Sequence, residues 1–191
     1  SYSVTGVQTC ALPILNTIIK KGFKLIMTHL LSLALTFFLL LVLGWVVTKW
    51  GFIPFSVIAL IFYVALFYSD GWNWGRIEGR KYNDIKENPL RALAATVIPS
   101  IIPIVFILLT LFGYSHYLLG VIEKVWYFPF VGILGQDSFL SVSKILISGA
   151  VIPVVVTFGY FVGTKDFSVL EKIAFRKNRQ KEAERKAQMN K

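Results

Sequence analysis

Four long apolar runs organise this chain, at residues 30–47, 52–68, 92–112 and 145–162. In the first, thirteen of eighteen positions are Leu, Phe or Val and none is charged. As a helix it covers about 27 Å at 1.5 Å per residue, enough to cross the hydrocarbon core of a bilayer. On an insertion scale those thirteen residues contribute roughly −4 to −8 kcal/mol as an upper bound, which outweighs Ser32, Thr36 and Gly44. Lys20, Lys21 and Lys24 stand in front of the run, as in the basic start of a signal peptide. The run is too long for one, however, and no small-residue cleavage pattern follows, so it reads as an uncleaved anchor.

Only Thr48, Lys49, Trp50 and Gly51 separate the first run from the second, which predicts a tight antiparallel helical hairpin. Pro54 falls in the first turn of the second helix, where a missing N–H costs little. The third run contains Pro99 and Pro103 and the fourth contains Pro153, so both helices are expected to be kinked, the third near Ser100. Residues 113–143 are too polar for a simple span and too apolar for a simple loop. Tyr114, Tyr117, Trp126, Tyr127 and Phe128 are interrupted there by Glu123, Lys124, Pro129, Gly132 and Gly135. The expectation is a segment lying at the headgroup level or re-entering the protein, with a fifth crossing as the alternative.

Composition agrees with the pattern. Of 191 residues 55% are apolar and 16% charged, too greasy a balance for a water-soluble domain of this size. The predicted fold is all-α, a polytopic membrane protein with four transmembrane helices inside residues 15–164 and a basic tail over 165–191. The net charge of +10 would suit a nucleic-acid binder if it were spread over the chain, but its placement argues for membrane topology instead. With a cytoplasmic N-terminus and four crossings, seventeen of the twenty Lys and Arg fall inside, and only Lys49, Lys124 and Lys144 fall outside. Both termini are therefore expected in the cytosol of a bacterial cell. The tail carries nine basic and four acidic residues and should be drawn to an anionic inner leaflet. Its opening, Ser168 to Glu171, has the form of a capping box, so a cytoplasmic helix is expected there.

Val4 to Ile14 resembles the translation of a sequencing adapter, and residues 1–14 are set aside for that reason. Cys10, the single cysteine, goes with them, and no disulfide, zinc or thiol chemistry is expected in the remainder. His29 and His116 lie near predicted interfaces with no supporting ligand pattern, and read as surface histidines.

The densest chemistry lies just after the second run. Asp70, Trp72, Asn73, Trp74, Arg76, Glu78, Arg80, Lys81, Asn83 and Asp84 form a candidate site for a ligand or partner on a cytoplasmic loop. Arg76, Arg80 and Lys81 suit a phosphate or carboxylate, while the three acids suit those bases or a cation. Gly71, Gly75 and Gly79 recur every fourth residue, so a helix continued through them would show one bare face to a neighbour. The alternative is an interfacial turn with Trp72 and Trp74 at the headgroups and the charges loosely paired in water. Gly159 and Gly163 form a second small-residue pair that lets a helix approach, within the subunit or between subunits.

No Asp, Glu, Lys or Arg falls within the four runs, which weakens a reading as an ion-coupled transporter. Phosphate-binding, zinc-protease, nucleophile-elbow and dinucleotide motifs are absent, and no cofactor is expected. Tyr68-Ser-Asp-Gly-Trp-x-x-Gly75 followed by Arg80-Lys-x-Asn83-Asp84, after a Leu-rich hairpin and before a Pro-containing span and a basic tail, resembles small uncharacterised multi-helix membrane proteins of Gram-positive bacteria. That resemblance implies no activity. The expected role is non-enzymatic, an accessory or scaffold component in contact with lipid and with another membrane protein or a second copy of itself. One alternative is a small transporter or channel subunit, with Ser56, Tyr63, Thr96, Ser100, Thr157 and Tyr160 lining a cavity. Another is a membrane enzyme using residues 70–84.

Overall fold

A computed structural model of the chain describes residues 8–79, 88–113, 117–135 and 140–165, with side chains from Leu15 onward. The elements in order are α1 (Gln8–Trp50), α2 (Phe52–Glu78), α3 (Pro89–Leu111), α4 (Tyr117–Trp126), a single 3₁₀ turn (Phe128–Phe130), α5 (Val131–Leu134) and α6 (Val142–Thr164). Among the described residues there is no strand. Four of the helices, α1 from Leu15, α2, α3 and α6, are long and apolar enough to cross a membrane. Their outward surfaces carry large apolar side chains, with Leu41 83% and Phe112 84% exposed. In water such a surface would be a heavy penalty, whereas lipid tails solvate it without cost.

The turn between α1 and α2 is tighter than the four residues anticipated. α1 continues through Trp50, and Gly51 alone makes the reversal at φ 81°, a backbone conformation that a side chain would strain. At the far end of the hairpin α2 does not stop at residue 68. It continues nearly three turns to Glu78, so the residues from Asp70 to Glu78, which were expected in a loop, are helical. Asn88 caps α3 by accepting from the Leu90 N–H at 3.0 Å, with Pro89 in the first turn, where its fixed φ favours helix. Among the described residues, Leu43 of α1 has non-helical dihedrals (φ −102°, ψ 15°) inside a long helix. α3 is helical through Pro99 and Pro103, as α6 is through Pro153. Pro99 deprives the Ala95 carbonyl of its helical donor, and α1 comes in against that carbonyl at Gly22.

The tightest seam joins α2 to α6. A Cβ on Gly71 would strike the Val156 carbonyl, one on Gly75 the Tyr160 carbonyl, and one on Gly163 the Trp72 carbonyl. The two glycine stripes read in the sequence are therefore each other's partners, and the choice left open for Gly159 and Gly163 falls within the subunit. The register rises together, Gly71 to Val156 and Gly75 to Tyr160, so α2 and α6 run in the same direction. That direction bears on the described residues 117–135 between α3 and α6. A full crossing between α3 and α6 would leave α6 antiparallel to α2, so the segment leaves and rejoins the bundle on one side. α4 and the helical turns from Phe128 to Leu134 meet at 79°, the geometry of a piece that dips in and turns back.

The re-entrant piece is seated by contacts the sequence did not reveal. The Gly132 N–H donates to Ser56 Oγ at 2.6 Å, and the glycine lies directly on the Phe52 carbonyl. Phe128 stacks on Phe37 at 4.5 Å, Phe130 meets Tyr63 edge-on at 5.2 Å, and Trp126 lies against His29 at 4.0 Å. Tyr127, anticipated among the headgroup aromatics, is instead a core residue at 3% exposure, and Phe130 beside it is 5% exposed. His29, expected at the surface, is 1% exposed. His116 and the expected tail helix lie outside the described residues.

Candidate functional site

Within the last turns of α2, residues four apart stack into stripes, because 3.6 residues make one turn. Asp70, Trp74 and Glu78 form one stripe and face α1. Gly71, Gly75 and Gly79 form the adjacent stripe and face α6. Asn73, Arg76 and Ile77 are exposed, with the Arg76 guanidinium 5.3 Å from the centre of the Trp72 ring. The polar end of the bundle is thus assembled where α1, still helical ahead of its apolar run, passes the end of α2.

α1 answers the acidic stripe with Lys21, Lys24 and Thr28. Lys24 Nζ is 2.6 Å from Asp70 Oδ1, and the Thr28 hydroxyl donates to Asp70 Oδ2 at 2.6 Å. Lys21 pairs with Glu78 Oε1, and both side chains are largely buried, at 14% and 8% exposure. Tyr160 of α6 donates its hydroxyl to Glu78 Oε2 at 2.6 Å and accepts the Asn88 N–H at 3.1 Å. One carboxylate therefore ties three helices together and reaches the start of α3. Trp74, 5% exposed, lies beneath the two ammonium groups, with its ring centre 5.2 Å from Lys21 and 5.9 Å from Lys24. Its π-face adds a cation–π contact to each pair, with little water competing at Lys21 and more at the half-exposed Lys24.

Of the residues singled out in the sequence, the structure brings Asp70, Trp74 and Glu78 together and turns Asn73 and Arg76 away from them. Arg80, Lys81, Asn83 and Asp84 lie outside the described residues. The partners that sequence reasoning missed are Lys21, Lys24, Thr28 and Tyr160. The signal was present: lysines at i and i+3 ahead of an apolar run, opposite acids at i and i+8 beyond the next. It becomes readable only once α1 and α2 are both known to extend past their apolar cores. Among the described residues no three His, Cys, Asp or Glu gather as metal ligands.

The hydroxyls proposed to line a cavity are mostly engaged in bonds. Ser56 accepts from Gly132, Tyr63 is 3.2 Å from His29 Nδ1, Thr96 donates to the Leu93 carbonyl and Ser100 to the Thr96 carbonyl. Thr157 has no partner among the described residues, and it borders an apolar groove of about 420 Å³ between α3 and α6, walled by Leu93, Pro153, Phe158 and Phe161. A groove of that lining on a lipid-facing surface suits an acyl chain better than a polar solute. A scan against protein-family models and searches of curated proteins and of solved structures match nothing in this chain, so the chemistry of the site rests on its geometry.

Proposed function

We propose that this chain is a bacterial cell-membrane protein with both termini in the cytosol and a non-enzymatic role, an accessory or scaffold component that works by helix packing and by its basic cytoplasmic side. One observation carries the reading: the acids of the dense 70–78 stretch are committed to Lys21, Lys24, Thr28 and Tyr160, which clamp helices to one another. A reacting or ligand-binding site needs such groups unspent and turned toward a cavity. The cytosolic assignment follows from the seventeen-to-three placement of basic residues, with the clamp at the charged end. The prolines of α3 and α6 bend their helices in this reading, because each frees a carbonyl one turn earlier.

The test is purification of the full chain from its own membrane in mild detergent after brief cross-linking. The expected result is a reproducible partner at fixed stoichiometry. Elution as an isolated species, together with turnover or uptake of a small solute by the pure protein in vesicles, would reject the accessory role.

A further inference from the structure

Two bases at the charged end stand apart from the clamp. Lys21 and Lys24 are spent on acids, whereas Arg76 of α2 and Lys165, which caps α6, are exposed and have no acidic partner among the described residues. Both lie over aromatic rings. The Lys165 ammonium is 4.2 Å from the centre of the Phe161 ring, and the Arg76 guanidinium is 5.3 Å from that of Trp72. Because α2 and α6 both end here, each ring lies one turn nearer the middle of the bundle than the base that covers it. Lysine and arginine near the end of a spanning helix ordinarily reach outward, to headgroups and water. These two fold back along the helix, which holds their charge at the border of the apolar surface. A Cβ on Gly163 would come within 3.0 Å of the Arg76 backbone nitrogen, and Lys165 follows two residues later, so the two bases share one level on adjoining helices.

The groove between α3 and α6 opens at that level. Pro89 begins α3 and Phe161 stands in the last turn of α6, and the groove runs inward from this pair past Leu93 and Phe158 to Pro153. Its volume of about 420 Å³ falls among those of small-molecule sites, roughly 300–1,000 Å³. Val154 and Phe161 are exposed, so it opens sideways to the surrounding hydrocarbon. Since Lys165 stacks on Phe161, one of the groove's own walls carries a cation at its mouth. On the other flank Phe158 meets Tyr68 of α2 at 6.3 Å, one turn before Trp72, and the same outer face continues to Arg76. An apolar slot with positive charge at one end matches an amphiphile that has an apolar chain and an anionic head.

We propose that this groove is a binding site for one anionic phospholipid, which lays an acyl chain between α3 and α6 and sets its phosphate against Lys165 and Arg76. Lipid that merely solvates the bundle packs by its tails and takes any headgroup, whereas two cations at one level select a negative one. A phosphate there meets bases that no described carboxylate holds, and the arginine can grip it through two parallel hydrogen bonds. The site needs a bilayer, but neither the accessory role nor a particular side of the membrane.

The test uses the full chain in mild detergent, titrated with phosphatidylglycerol or phosphatidylcholine of equal chain length and read by native mass spectrometry. One phosphatidylglycerol per chain is expected to stay bound at concentrations where phosphatidylcholine does not. Lys165→Gln and Arg76→Gln should each weaken phosphatidylglycerol roughly five-fold and leave phosphatidylcholine unchanged. Lys20→Gln, an equal loss of charge at an exposed position of α1, should change neither lipid. Leu93→Trp, which fills the groove from one wall, should weaken both. Glycerol phosphate, a head without chains, should not displace the bound lipid. Equal binding of the two lipids by the wild-type chain, unchanged binding in Lys165→Gln, an equal effect of Lys20→Gln, or displacement by glycerol phosphate would each overturn the proposal. So would a dimer that persists in phosphatidylglycerol and is abolished by Leu93→Trp, because a second copy would then occupy the groove.

Discussion

At the scale of single residues the two ion pairs of the clamp differ in depth, and depth decides their worth. Lys24 is half exposed, at 50%, so its attraction to Asp70 is screened and contributes at most about 1 kcal/mol. Lys21 and Glu78 are 14% and 8% exposed, and removal of either leaves the other largely buried and uncompensated. Lys21→Met is therefore expected to destabilise the fold by about 3 kcal/mol or more, and Lys24→Met by less than about 1 kcal/mol. Unfolding titrations in mixed detergent micelles would rank the two; equal losses would mean that burial does not set the difference. Tyr160→Phe removes an acceptor for the Asn88 N–H and a donor to Glu78, a loss of about 1–3 kcal/mol. Asp70, Trp74 and Glu78 were identifiable in the sequence as a dense polar group. Their partners were not, because nothing local to residues 70–84 names Lys21 or Tyr160.

At the scale of elements, small residues have opposite meanings depending on what faces them. Gly75 lies on the Tyr160 carbonyl and Gly163 on the Trp72 carbonyl, whereas an added Cβ at Gly44 meets nothing within 4 Å. Gly75→Ala should force α2 and α6 apart and cost about 1–3 kcal/mol. Gly44→Ala should be neutral, or stabilising by up to about 1 kcal/mol through helix propensity. The same unfolding titration checks the contrast, and a Gly75→Ala protein as stable as wild type would remove the seam from the account. Gly132→Ala should unseat the re-entrant piece, visible as faster amide hydrogen exchange over residues 128–134 with α6 still protected. The apolar runs announced the four long helices because length and composition decide crossing. They underestimated α2, whose last ten residues contain two glycines and three charged residues. Those turns are helical because α6 covers the bare face and α1 neutralises the acids.

At the scale of the whole molecule the parallel course of α2 and α6 places the start of α1 and the end of α6 at one end of the bundle. The proposed topology gives that end to the cytosol. With Cys10 replaced by serine, a cysteine at Lys49 is expected to react with an impermeant maleimide added to intact cells, and one at Lys165 only after lysis. Reaction of both in intact cells would reject the assignment.

The amino-acid order by itself determined that this chain seeks a bilayer, where its crossings fall and which segments carry positive charge, because transfer free energy and charge asymmetry are properties of short stretches. Tertiary structure decided what those stretches become to one another: that the glycine stripes meet, that Lys21 and Glu78 close the charged end, and that Glu123 is carried out of a loop into the interior. Those outcomes depend on helix direction and register, which only the packed bundle sets.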